Sequence, residues 1–68
     1  MALLDHLCRI SPAEQRVLAL LLEGRSNRAI AAQLQLSPRT VESHIATMFE
    51  KTGCHNRSQL LLWGQVNG

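Results

Sequence analysis

Aromatic side chains are nearly missing from this 68-residue chain: it has no tyrosine, and Phe49 and Trp63 are its only aromatics. Any core it builds must therefore be aliphatic. Cysteine is as sparse, with Cys8 and Cys54 alone, and no apolar run is long enough to cross a bilayer or to serve as the apolar part of a signal peptide. On these grounds no membrane partner is expected, and a cytoplasmic, reducing location is the default. Internal repeats and low-complexity tracts are lacking too. No nucleophile, base and acid meet at an interpretable spacing, so the chain does not read as an enzyme. To hold zinc, His6, Cys8, Cys54 and His55 would have to meet from opposite ends, and neither the His-x-Cys pair nor the Cys-His pair has the spacing of a zinc finger. No metal and no cofactor is expected. Cys54, just after Gly53, reads by default as a small buried hydrophobe. A redox role for either thiol stays open.

What the chain does have is apolar residues and a skewed charge. An apolar content of 46% argues against disorder. Sixty-eight residues make one small domain with a barely sufficient core, for which oligomerisation or a tethered neighbour would be a natural support. The formal net charge is only +2. Between Arg25 and Arg57, however, five basic residues (Arg25, Arg28, Arg39, Lys51 and Arg57) stand against Glu42 and Glu50, whereas the first 24 residues hold Arg9 and Arg16 against Asp5, Glu14 and Glu23. The positive field belongs to the middle of the chain, which suits a polyanionic partner and equally a solvated basic face.

Helix punctuation is the clearest local signal. Residues 1–10 carry Leu3, Leu4, Leu7 and Ile10 at helical spacing without a cap, and read either as a short helix or as a leader strapped across the domain. Ser11, Pro12 and Glu14 then spell a capping box with proline in the first turn, predicting a helix over about 12–23 that Gly24 ends. Val17, Leu18, Leu21 and Leu22 form its inward stripe, and Ala19 and Leu20 extend the apolar surface toward burial on two sides. Ser26 caps a short second helix over about 27–34, with Ile30, Ala31 and Leu34 inward. Only Gln35 and Leu36 precede the next cap, Ser37, so the two helices must cross steeply, with small Ala31 at the closest approach and Leu36 plugging the corner. The third helix, over about 38–52, runs from Ser37-Pro38 to Gly53. Its stripe of Val41, Ile45, Met48 and Phe49 faces inward and leaves Arg39, Glu42, Ser43, Ala46, Thr47 and Glu50 on the other side, a face suited to lying in a DNA groove. A last helix over about 57–66 starts near Asn56 and Gln59, with Ser58 as a rival cap. Leu60, Leu61 and Gly64 are assigned to its core side and Leu62 and Val66 to the other. That second apolar face predicts contact with another chain, unless the leader covers it.

Taken together, SPAEQRVL, EGRSNRAIA, LSPRTVESHI and NRSQL resemble the LuxR-type helix-turn-helix domain of bacterial quorum-sensing regulators and of NarL- and FixJ-like response regulators, over Ile10 to about Trp63. The resemblance implies an all-α, four-helix domain over 11–66 in which the third helix enters the major groove, the second steadies it across the backbone, and the fourth forms a two-fold dimer contact. It implies a sequence-specific transcriptional regulator in the bacterial cytoplasm, associated with the nucleoid when bound to double-stranded DNA, either as an excised output domain or as a stand-alone protein. Three departures stand out. Ala29 replaces a glutamate usual in the second helix, Gln35 occupies a corner where glycine is frequent, and Glu42 and Ala46 stand where family members often carry lysine or arginine. Glu42 repels phosphate, although a carboxylate accepts from cytosine N4.

The residues expected to read bases are Arg39, Glu42, Ser43, Ala46 and Thr47, the hydroxyls by hydrogen bonding and Ala46 by touching a thymine methyl. Those expected on the DNA backbone are Ser26, Asn27, Arg28, Ser37, Thr40, Lys51 and Arg57, the helix N-termini adding main-chain N–H groups; pairing with Glu50 is the alternative for Arg57. Leu62, Trp63 and Val66 are the expected dimer contacts, a place in the core being the other reading for Trp63, and His44 is read as a packed residue at the core's edge. The competing reading is a protein-interaction module of the same fold with a weakened DNA face, pairing through its last helix with a partner regulator or with RNA polymerase.

Overall fold

The computed structural model describes residues 10–67, so the expected leader, its Leu3, Leu4 and Leu7, and His6 and Cys8 lie outside the described residues. Four helices and their connections account for the described residues: α1 (Pro12–Leu22), α2 (Asn27–Leu34), α3 (Pro38–Thr52) and α4 (Arg57–Asn67). None of them is long and apolar enough to cross a membrane.

Each start is built by a side chain that satisfies N–H groups the helix cannot. The Ser11 hydroxyl accepts from the Glu14 N–H at 3.2 Å while the Glu14 carboxylate accepts from the Ser11 N–H at 2.9 Å, a complete capping box. Ser26 and Ser37 accept from the N–H groups of Ala29 and Thr40. At α4 the Asn56 side chain accepts from the Gln59 N–H at 2.9 Å, but Gln59 returns to the His55 N–H at 2.7 Å and not to that of Asn56. The reciprocal pair expected there is therefore displaced by one residue.

The ends are equally specific. α1 stops at Leu22, one residue short of the expected 23, because the Gly24 and Arg25 N–H groups turn back to the Leu21 and Leu20 carbonyls, with Gly24 at φ 85°. α2 closes with the same paired bonds, Gln35 N–H to Ala32 and Leu36 N–H to Ala31. Here the left-handed position is held by glutamine, at φ 59° and ψ 44°. α4 continues to Asn67, one residue past the expected end.

The core is aliphatic. Val17, Leu18, Leu20 and Leu21 of α1 meet Ile30 and Ala31 of α2, Val41, Ile45 and Met48 of α3, and Leu60 of α4, all buried, while Phe49 and Trp63 pack against this cluster only in part. Each fully buried Leu, Ile, Val or Met contributes roughly 1.5–3 kcal/mol relative to exposure. Ala19 is exposed and so is Leu22, the latter expected inward, so α1 buries one broad stripe that includes Leu20 in place of Leu22 and not the two sides expected. α4 approaches α1 closely at Gly64, where an added Cβ would stand 3.1 Å from a Leu18 methyl. α3 is the longest helix at 15 residues. It packs on α1, α2 and α4, so its orientation is set by all three.

Candidate nucleic-acid interface

Burial of Val41, Ile45 and Met48 fixes the rotation of α3 about its own axis, since residues three and four apart share a face. The other face is thereby turned outward: Arg39, Glu42, Ser43, Ala46 and Glu50 are exposed and Thr47 is half-buried. The corner before it is two residues long, Gln35 and Leu36. Left-handed Gln35 turns the chain out of α2, and half-buried Leu36 packs against the core beneath. Small Ala31 is buried at this crossing.

Several polar groups of the expected interface are occupied within the protein. The Ser37 and Thr40 hydroxyls lie 2.9 Å apart beside the cap. The Thr47 hydroxyl donates to the Ser43 carbonyl at 3.0 Å, so its proton is committed within the helix while the oxygen can still accept. At the start of α2, Asn27 Oδ1 accepts from Arg57 Nη1 at 3.2 Å, and Arg57 Nη2 donates to the Arg25 carbonyl at 3.0 Å. Arg57 thus ties α4 to the entry of α2, and the alternative pairing with Glu50 is not the one that forms. Arg25 itself pairs with Glu23 at 3.1 Å. Arg28 is exposed at the same end of α2.

Lys51 is the expected backbone contact whose surroundings differ most from expectation. Its ammonium donates to Glu14 Oε1 at 2.8 Å, the oxygen that also accepts from the Ser11 N–H. Glu14 is 4% exposed. Burial pushes its carboxyl pKa up, but the Lys51 hydrogen bond, the Ser11 donors and the Lys51 charge together hold it below the ordinary glutamate range. Sequence reasoning found Glu14 as half of a capping box and missed this second partner, 37 residues away.

The remaining expected residues divide. His44 is half-buried at the margin of the stripe. On α4, Leu62 and Val66 are 64% and 79% exposed, whereas Trp63 turns partly onto the core. The three expected dimer contacts therefore do not form one outward set. Cys54 is half-buried, with its N–H donating to the Thr52 hydroxyl.

Comparison with known proteins agrees with this architecture. A family model described as bacterial regulatory proteins, luxR family, matches residues 9–63. The chain is 41% identical over 58 residues to the response regulator Rre1 of Synechocystis, covering 85% of this chain and 25% of that protein. It is 42% identical over 57 residues to the probable transcriptional regulator ycf29 of Cyanophora paradoxa, covering 84% and 27%. Identity to the monoamine regulon transcriptional regulator of Klebsiella aerogenes is 40% over 58 residues, covering 84% and 26%. The chain thus spans about a quarter of the length of these relatives. No solved structure matches it. On the four helices, the two-residue corner and the matched residues, the chain belongs to the luxR family of bacterial regulatory proteins.

Proposed function

We propose that this chain is the DNA-binding part of a transcriptional regulator, acting by sequence-specific contact and not by catalysis, with α3 in the major groove. The observation that carries the reading is the outward polar face of α3, held clear of the core by the corner at Gln35 and Leu36. Relatives named as response and transcriptional regulators support it. Arg39, Glu42, Ser43, Ala46 and Thr47 are the base-facing set. Ser26, Asn27, Arg28, Ser37, Thr40 and Arg57 approach phosphate, where the open N–H groups of α2 and α3 favour an anion. Arg57 meets phosphate from the position its bonds to Asn27 and Arg25 give it. Two subunits pair through the outer face of α4 and occupy half-sites about one helical turn apart. The protein works in the cytoplasm, on the nucleoid.

A gel-shift titration across salt concentrations, on duplexes selected from random sequence, tests this. Affinity should fall steeply with salt, and Arg39→Ala should lower it. Leu62→Ser with Val66→Ser should abolish the dimer band while leaving the monomer folded. The competing reading, a protein-interaction module, draws on two observations: Glu42 stands exposed at the centre of the groove-facing side, and Leu62 and Val66 are open. It predicts no binding at low salt and a stable complex with a partner regulator or RNA polymerase, lost in the Leu62 and Val66 variant.

A further inference from the structure

We propose that Glu14 and Lys51 are positioning residues for the recognition face of α3, and that Lys51 serves DNA recognition through its ion pair with Glu14 and not through phosphate. The inference rests on the DNA-binding reading above.

Each charge is favourable on its own helix. Glu14 lies in the first turn of α1, near the positive end of that helix dipole, and Lys51 lies in the last turn of α3, near the negative end. The 2.8 Å contact joins those two ends. The Glu14 carboxylate is fixed independently by the Ser11 N–H it accepts from, while the Ser11 hydroxyl accepts from the Glu14 N–H and fixes its backbone. Lys51 is therefore anchored to a rigid point on α1 and not to another mobile side chain.

The site of the anchor matters because of the length of α3. Val41, fully buried at the corner, is the near pivot, and Lys51 lies ten residues beyond it, about 15 Å along the axis. A displacement of the far end by about 1 Å, beyond the last buried side chain Met48, would tilt the helix by about 4° and move Thr47 by about 0.6 Å. Hydrogen bonds to base edges work within a window of about half an ångström, so a shift of this size costs base readout. Long flexible side chains on phosphate absorb it. Loosening the pair should therefore lower discrimination between sequences far more than general affinity for DNA. Lys51 held on Glu14 also has its charge already neutralised, so it displaces no counterion when a duplex binds.

The test uses the full chain and two duplexes, one selected from random sequence and one scrambled, with each variant's fold checked by circular dichroism at the assay temperature. Glu14→Gln keeps an acceptor for the Ser11 N–H, so it removes the charge and preserves the cap. Glu14→Gln and Lys51→Met should each lower the ratio of selected to scrambled affinity about ten-fold, the loss expected for one base contact. The double variant should lose no more than either single one, and Lys51→Arg, which keeps the ion pair, should retain the original ratio. The slope of log affinity against log salt should be unchanged in Lys51→Met. A slope reduced by about one with an unmoved ratio would make Lys51 a phosphate contact and overturn the proposal. So would an unmoved ratio in folded Glu14→Gln, which would leave the pair a stabilising contact only. If a single variant does not fold, the double variant, which has no unpaired buried charge, decides on the ratio alone. Absence of any salt-dependent binding by the unaltered chain would remove the DNA-binding reading and this inference with it, whereas normal binding with unmoved ratios would remove this inference alone.

Discussion

Replacing Gln35 by glycine should make the protein more stable. Gln35 is the one described residue other than glycine at positive φ, with φ 59° and ψ 44°, and an L-residue there carries a penalty of about 1–2 kcal/mol from the crowding of Cβ against the following carbonyl. Glycine escapes that penalty but gives back roughly 0.4–1 kcal/mol through the greater freedom of its unfolded chain. The net gain is about 0.5–1 kcal/mol, or roughly 2–8 °C in Tm for a domain of this size. The Gln35 side chain is exposed, so little packing is lost with it. Thermal unfolding followed by circular dichroism reads the change, with Gln35→Ala as the control that keeps Cβ and should stay within about 0.5 kcal/mol of the original. Gly53→Ala is the mirror case. Its φ is 77° with nothing within 4 Å of the added Cβ, so it should lose about 1 kcal/mol for backbone reasons alone. A Gln35→Gly protein no more stable than the original, or a Gln35→Ala protein that gains as much, would refute the strain account of the corner.

Two further outcomes follow from the core and from Glu14. Met48→Ala empties a fully buried site in the C-terminal half of α3 and should cost about 2–5 kcal/mol, a large share of a small domain's stability, read by urea unfolding; a loss under 1 kcal/mol would mean the core collapses onto the gap. The depressed pKa of Glu14 means that its contribution is fully present above the ordinary glutamate value and is lost as pH falls through the lowered one. Glu14→Gln should therefore be less stable than the original at neutral pH, and the gap should close on acidification through that window; a gap independent of pH would show that the carboxylate charge is not what stabilises.

Local chemistry makes most of the fold legible in the sequence. Ser11, Ser26 and Ser37 with Pro12 and Pro38 mark helix starts because the groups they satisfy lie within three residues, and the two-residue link through Gln35 and Leu36 leaves few ways for α2 and α3 to cross. The polar side of α3 was readable for the same reason: Val41, Ile45 and Met48 define its opposite. What could not be read were pairings that depend on how helices stack. Lys51 meets Glu14 across 37 residues and Arg57 meets the Arg25 carbonyl across 32, and a basic side chain looks alike in sequence whether it ends on a carboxylate, a carbonyl or a phosphate. Whether Trp63 leans inward or outward likewise depends on how α4 packs against α1, which it approaches closely at Gly64.

Trp63 sits half-buried on α4 between the core and the open side chains of Leu62 and Val66, in a chain without tyrosine. The chain therefore carries a single indole and no phenol, placed at the boundary of the surface proposed above for self-association. Covering that surface would dry the indole's surroundings and shift its emission to the blue, so dilution of the unlabelled protein would report pairing directly, with no second chromophore to confuse the signal.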